Sequence, residues 1–300
     1  MLKTAVVESV KYSGRAAEGV RGNSGERSSW EFSGFQFEYF INDNLAKNSI
    51  GLNKPWESHI TNFVKAYGQF KAQGIQNIID VGANFGYHTL LFSREARGIV
   101  FGFEPQIQNY ELLKINSQRN QIENVYTSNL ACGDVECEVR LPIIEDSVNP
   151  VNMGDFTPDT GFTRNFSATK SIPLDKIQFP FLPGLDKIDL IKIDVQGWEK
   201  RVLMGAENLL KTHKPVLIVE FEHFQLRKTN TTCEELFTYI RSLGYHIFYL
   251  EYEYPSDHVC VHNDNLLEFR TGFQDRIMSH KQYNDINQNI YHWVNERIVM

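Results

Sequence analysis

From Gly74 onward the chain alternates short apolar runs with amphipathic stretches. IQNIIDVG, GIVFGFEP and NVYTSNLAC have the length and composition of strands, and YHTLLFSREA and NYELLKINSQRN between them have helical spacing, so this region predicts a βαβαβ unit. A second set follows after a break: IDLIKIDVQG, WEKRVLMGAENLLKTH, PVLIVEFE, CEELFTYIRSLG and YHIFYLEY. Strands so continuously apolar are buried on both faces, which predicts an α/β fold with a mostly parallel sheet and helices on each side. Upstream, the alternation of Phe35, Phe37, Tyr39 and Ile41 predicts one half-buried strand over residues 30–41. Ile60, Phe63, Val64 and Tyr67, with Pro55 in the first turn, predict a helix ending near Gly68.

Four segments follow from this pattern. Residues 1–29 hold almost nothing to bury and read as a mobile arm, and residues 30–72 form a strand and helix extension. The main α/β domain spans 73–270, and a polar tail with scattered aromatics, 271–300, reads as helical. Within the domain, residues 133–187 contain one hairpin signal, ECEVRLPI, and a long polar stretch rich in Asn, Asp, Pro and Thr. So long a connection inside a compact α/β domain predicts a functional lid or insert. Phe156, Phe162, Arg164 and Phe166 are its candidates for acceptor recognition, since aromatic faces stack on sugars and ring systems; the alternative is a disordered loop.

Composition narrows the function classes. With 42% hydrophobic residues in 300, the chain has material for a packed core, which excludes a wholly disordered protein. Thirty Lys and Arg against 37 Asp and Glu give a net charge of −7, which argues against a broad nucleic-acid or anionic-membrane face. No apolar run approaches the ~18 to 20 residues of a membrane span, and MLKTAVVESVKYSG lacks a secretory signal, so a soluble, cytoplasmic chain is expected. Cys132, Cys137, Cys233 and Cys260 form no C-x-x-C pair and read as reduced packing residues.

The sharpest chemical signal is IIDVGANFGYH, where Asp80 closes a buried strand and Gly82 and Gly86 bracket a tight turn into a helix. A dinucleotide site uses G-x-G-x-x-G to seat a pyrophosphate; here the order is D-x-G-x-x-x-G, and the carboxylate would repel phosphate and suit an ammonium. The alternative is that Asp80 caps the helix and the glycines only permit the turn. Glu104, in VFGFEP, ends the next strand, 24 residues on, close to the ~20-residue offset at which an acid grips a ribose hydroxyl. Together these predict a nucleoside ligand without a pyrophosphate, and S-adenosylmethionine, with its sulfonium, amino acid end and ribose, fits. Asp134, in NLACGD, is placed to reach an adenine amino group or to serve as a turn residue. In the second half, Asp194 ends a buried strand at the face where open α/β sheets bind ligands. Lys192, on the same side, must pair with a carboxylate or face the site, since lysine is almost never buried unpaired. Glu199 opens the next helix, and Glu220 and Glu222 point to one side of the next strand end; Glu222 and His223 read as its solvated tip.

DVGANFGYHT, FEP, the L-x-x-N region of YELLKINSQRN, KIDVQGWE-x-x-V-L-x-G-A and P-x-L-I-V-E resemble, in order and spacing, the FkbM family of S-adenosylmethionine-dependent methyltransferases over about residues 35–249. The resemblance implies a Rossmann-like class I methyltransferase fold, a seven-stranded sheet whose last strand is antiparallel, with HVCVHNDNLLEFR at 258–270 as hairpin partner of YHIFYLEY. It also implies, usually, O-methylation of a hydroxyl on a sugar, glycan or other natural product. On that footing Asp80 and Asn84, with the Gly82–Gly86 turn, hold the amino acid end, Glu104 the ribose and Asp134 the adenine. Asp194 faces the acceptor as base or orienter, and His88 is a second base candidate or else a hydrogen-bonded packing group. One position departs: the family pattern is typically K-x-D-x-E-G-x-E, and Gln196 stands where Glu is usual, which reads as a change of specificity or polarity, with inactivity as the alternative. No metal is expected, although Asp194, Glu220 and Glu222 are hard oxygen ligands that suit Mg²⁺. The expected partner is a small-molecule or glycan acceptor. The rival readings are a catalytically silent module of the same fold, an RNA methyltransferase, against which the net charge weighs, and a nicotinamide dehydrogenase, whose closely spaced glycines are missing.

Overall fold

The computed structural model describes residues 27–41, 43, 46, 54–143, 166–250 and 256–274. The chain enters through a hairpin of β1 (Arg27–Phe32) and β2 (Phe35–Phe40) that turns on Ser33 and Gly34, both at positive φ. A two-residue turn of that hand matches the twist of a hairpin, so the single strand expected over 30–41 is two, and residues 27–29, assigned to the arm, already belong to β1. Helix α1 (Ser58–Phe70) starts three residues after Pro55, behind Glu57 in a left-handed conformation, and buries Ile60, Phe63, Val64 and Tyr67.

The first βαβαβ unit comprises β3 (Asn77–Val81), α2 (Tyr87–Phe92), β4 (Val100–Phe103), α3 (Ile107–Arg119) and β5 (Val125–Ser128). The run NVYTSNLAC, expected as one strand, breaks at Asn129, whose amide donates to the carbonyls of Glu104 and Pro105, both at 2.9 Å. Past the break, β6 (Leu130–Cys132) joins β7 (Cys137–Pro142) and β8 (Phe166–Ile172) in a separate three-stranded sheet. The second unit comprises β9 (Ile188–Ile193), α4 (Glu199–Met204), α5 (Glu207–His213), β10 (Val216–Glu220), α6 (His223–Lys228), α7 (Cys233–Ser242), β11 (Tyr245–Tyr249), β12 (Asp257–His262) and α8 (Asn263–Glu268). Residues 1–26 of the arm, 144–165 of the insert, with Phe156, Phe162 and Arg164, and 275–300 of the tail lie outside the described residues. Phe166 opens β8, under the Arg140 guanidinium at 4.6 Å.

The main sheet has the order β11-β12-β10-β9-β3-β4-β5. Six strands run the same way, and β12, antiparallel to both neighbours, is inserted between β10 and β11. This is the Rossmann-like class I methyltransferase sheet, seven strands with the last one reversed. Alternate strand residues feed two core layers, as burial on both faces requires. Ile79, Val81, Ile191 and Val219 pack with α4, α5 and α7 through Val202, Leu210 and Leu236; Ile78, Leu190, Ile218 and Val259 pack with α1 and α2 through Ile60, Val64 and Phe92. The hairpin lays Phe35, Phe37 and Tyr39 on Phe85, Tyr87 and Leu112, and Asn116 of α3 pairs with the Glu38 backbone at 2.6 and 3.0 Å. The strand order reverses between the parallel neighbours β3 and β9, which opens a crevice at their carboxyl ends. Among the described residues no helix is long and apolar enough to cross a membrane.

Candidate active site

The crevice holds a cavity of about 370 Å³ walled by the ends of β3, β4, β9 and β10, by β6, and by the residues preceding α1. At its floor Gly82, φ +85°, is forced by a close approach: a Cβ there would collide with the Asp194 carbonyl, so only glycine lets the ends of β3 and β9 meet. The Asp194 N–H then donates to Val81 O at 3.1 Å. Gly86, φ +94°, starts α2 against Leu113 and lies behind the cavity wall.

At the end of β4, Glu104 is held by two backbone donors, Asn84 N–H on Oε2 and Gln106 N–H on Oε1, both at 2.8 Å. Burial pushes its carboxyl up to about 7 against those hydrogen bonds. At the end of β9, Lys192 Nζ stands 3.1 Å from Asp194 Oδ2 and 3.7 Å from Asp80 Oδ1. Burial works against the ammonium, but the charges of Asp194, Asp80 and Glu57 outweigh it and raise its pKa. Burial likewise works against the Asp194 carboxylate, yet Lys192 holds it below the usual carboxylate range. Gln196, at φ +54°, donates from one amide nitrogen to Asp194 Oδ1 at 3.1 Å and Glu220 Oε2 at 3.3 Å. Burial, then the negative charge of Asp194, pushes Glu220 well above the ordinary range, so the proton between these two carboxyls resides on Glu220. On the opposite wall His88 Nε2 meets Glu57 Oε2 at 2.9 Å.

Of the residues singled out in the sequence, Gly82, Asn84, His88, Glu104 and Asp194 converge on the cavity. Asp80 does not reach it. Fully buried in β3, it accepts from Thr89 Oγ1 at 2.6 Å and faces Lys192 across the sheet, so it supports that ammonium from below. Asp134 also stays outside, 3.3 Å from Arg201 Nε, and the third-strand wall is supplied by Leu130, Ala131 and Cys132 instead. Glu222, read as a solvated tip, lines the cavity and caps α6 through Phe224 N–H at 3.2 Å. Glu199 clamps the loop below, accepting from Val195 and Gly197 N–H, both at 3.1 Å. Trp56, Glu57, Gln106, Asn109 and Gln225 also line the cavity and had no motif to mark them; Trp198 lay inside one as an unassigned position. Among the described residues no group of three His, Cys, Asp or Glu is arranged to hold a metal ion.

Residues 80–247 match the family model of the Methyltransferase FkbM domain. The chain belongs to this family. It is 28% identical over 142 residues to Hexuronic acid methyltransferase AglP of Haloferax volcanii, covering 46% of this chain and 53% of that protein. It is 24% identical over 147 residues to Methyltransferase 1 of Beauveria bassiana, covering 44% and 58% respectively. The chain thus spans just over half the length of these curated relatives. A solved FkbM methyltransferase from Methylobacillus flagellatus superposes with a TM-score of 0.44 at 18% identity, over 63% of this chain and 44% of that one.

With the family comes its cofactor, S-adenosylmethionine, and the donor set of this FkbM site fits it. Glu104 offers carboxylate acceptors of the kind ribose hydroxyls need, and the ionised Asp194 suits an ammonium. Among the described residues Lys192 is the one Lys or Arg in the lining, which gives a pyrophosphate little to hold.

Proposed function

We propose that the protein transfers a methyl group from S-adenosylmethionine to a hydroxyl of a sugar, glycan or other small natural product. One observation carries the reading: a single crevice at the strand-order reversal combines Glu104 with the Lys192–Asp194–Gln196–Glu220 cluster. When bound, the cofactor supplies an electrophilic methyl on a sulfonium. Glu104 accepts from the ribose hydroxyls, and Asn84 and the turn between Gly82 and Gly86 border the amino acid end. Asp194, ionised and fixed by two donors, accepts from the acceptor hydroxyl and aligns it, which is most of what an in-line displacement asks of a protein. Trp56 and Trp198 supply apolar wall that excludes water. The Haloferax volcanii relative, a hexuronic acid methyltransferase by name, supports a sugar acceptor.

The departure at Gln196 favours a second reading, a silent module. Its neutral amide joins Asp194 and Glu220 where a Glu would add a third carboxylate, so the site is internally satisfied without that residue. A melting titration with S-adenosylhomocysteine, NAD in parallel, separates the readings, since a ligand at about 100 times its Kd stabilises by about 2.7 kcal/mol. Stabilisation by the homocysteine compound, followed by transfer of labelled methyl to one of a panel of neutral and acidic glycosides, is the expected result. Binding without transfer to any acceptor favours the silent module, and stabilisation by NAD alone overturns both readings.

A further inference from the structure

Among the described side chains Phe224, on α6, is the one Phe, Tyr or Trp that stands on the surface, 66% exposed. A lone surface apolar residue needs no explanation, but this one is placed and held. Glu222 and Gln225, on either side of it in the chain, line the cavity. The Phe224 N–H donates to Glu222 Oε1 at 3.2 Å. Lys228, four residues on, sets its Nζ 4.6 Å over the Phe224 ring and donates to Gln225 Oε1 at 2.9 Å, so one ammonium touches both the ring and a side chain of the cavity wall. The ring therefore lies at the rim, outside the cavity and beside it.

Helix α6 is also fixed to the loop that carries Asp194 and Gln196. Leu226 is fully buried, and Thr229, just after the helix, donates from Oγ1 to Gly197 O at 2.7 Å. A Cβ on Gly197, φ +101°, would collide with the Gln225 carbonyl, so helix and loop meet backbone to backbone. The distance from Phe224 to Asp194 is thus set by packing. A cavity of about 370 Å³ is at the small end of the ~300 to 1,000 Å³ that holds one ligand of the cofactor's size, so an acceptor that reaches Asp194 extends past the rim.

We propose that Phe224 is the platform for the acceptor: a pyranose ring stacks its C–H face on the side of the phenyl ring that Lys228 leaves open, and one of its hydroxyls donates to Glu222. The proposal rests on the methyl-transfer reading above and narrows its acceptor to a saccharide. The face of an aromatic ring is electron-rich and attracts the polarised C–H groups of a sugar. A pyranose also carries hydroxyls around that apolar face, and hydroxyls taken from water need partners. Glu222, with lone pairs beyond the one that the Phe224 N–H occupies, and the Lys228 ammonium supply them at the edge of the ring. A flat aromatic acceptor has two apolar faces to cover and few hydroxyls to satisfy, and this charged rim suits it poorly.

Saturation-transfer difference NMR on the protein loaded with S-adenosylhomocysteine tests the platform. The probes are the methyl glycosides of glucose, galactose, mannose, N-acetylglucosamine and glucuronic acid, with naphthol as the flat aromatic. At least one glycoside is expected to receive saturation on its ring C–H protons, to lose it in Phe224→Ala and to keep it in Phe224→Tyr. Leu267→Ala, which removes a surface apolar residue on α8, should change nothing. Binding by none of the glycosides, binding by naphthol alone, or a glycoside signal that Phe224→Ala leaves in place overturns the proposal. In transfer of labelled methyl to the bound glycoside, Phe224→Ala should raise KM about tenfold with the Kd of S-adenosylhomocysteine unchanged. Glu222→Gln, whose amide oxygen can still cap α6, should raise KM about threefold. An unchanged KM in either variant also overturns the platform. Failure of the unsubstituted protein to bind S-adenosylhomocysteine in the melting titration would sink the methyltransferase reading instead, so the two failures are told apart.

Discussion

On the proposed reading, Glu104 is the residue on which cofactor affinity turns. Both its oxygens are already fixed by backbone donors, so its remaining lone pairs are oriented before any hydroxyl arrives. Glu104→Ala is expected to weaken S-adenosylhomocysteine binding at least tenfold, about 1.4 kcal/mol, by calorimetry, and an unchanged Kd would remove the ribose assignment. Because burial lifts this carboxyl to about 7, affinity should fall as pH drops through that value and the acceptor becomes a hydroxyl donor. Gln196→Glu replaces a neutral bridge by a third carboxylate beside Asp194 and Glu220. Its melting temperature should lie below that of the unsubstituted protein at about pH 8, the gap closing in acid as the cluster takes up protons; equal melting at both pH values would make the bridge irrelevant. Among the residues singled out in the sequence, Gly82, Asn84, Glu104 and Asp194 lie on the cavity because each stands at a strand end or in its glycine turn, where motif and position coincide. Asp80 misled because its motif places it one layer too deep, two residues before the turn, where the sheet pairs it with Lys192. Glu57 was invisible because it reaches His88 only through the tertiary contact of the segment before α1 with α2.

At the scale of elements, the alternation of strands and helices was legible because burial on both faces leaves a strong apolar signature. Two errors share one cause, that periodicity reports burial and not pairing partner. NVYTSNLAC keeps its strand pattern across Asn129 although it changes sheets there, and residues 30–41 keep theirs across a turn at Ser33 and Gly34. Capping is local and hence testable alone. Helix α7 begins with a reciprocal pair, Thr232 Oγ1 accepting from Glu235 N–H at 3.1 Å and Glu235 Oε2 from Thr232 N–H at 3.0 Å. Thr232→Ala should cost about 1 kcal/mol in urea denaturation, with cofactor affinity unchanged. A loss below about 0.3 kcal/mol would mean that packing of Leu236, Phe237 and Ile240 alone sets that helix.

Across the whole molecule, burial lifts Glu104 and Glu199 to about 7 and Asp257 to about 6, each above its value in an unfolded chain. The folded protein therefore keeps these protons to higher pH than the unfolded one, so the stability they confer is full below the ordinary carboxylate range and is lost as pH rises through 6 to 7. Asp194, held low by Lys192, acts the other way only in stronger acid. Melting temperature should accordingly decline between about pH 5.5 and 8, and Glu104→Gln should flatten the slope; a rising curve over that interval would contradict the buried-carboxyl account. The sheet also imposes an order in time. β12 is the last strand in the sequence yet lies inside the sheet, and its first residue, Asp257, joins His59, 198 residues earlier, at 2.7 Å. While the chain leaves the ribosome, the apolar edge of β10 has no partner on that side until residues 257–262 emerge, and the wall of the cavity that Glu220 completes cannot set before then. The newborn chain thus carries a sticky strand edge exposed while residues 221–256 are made, and its moment of greatest risk from its neighbours falls just before the sheet closes.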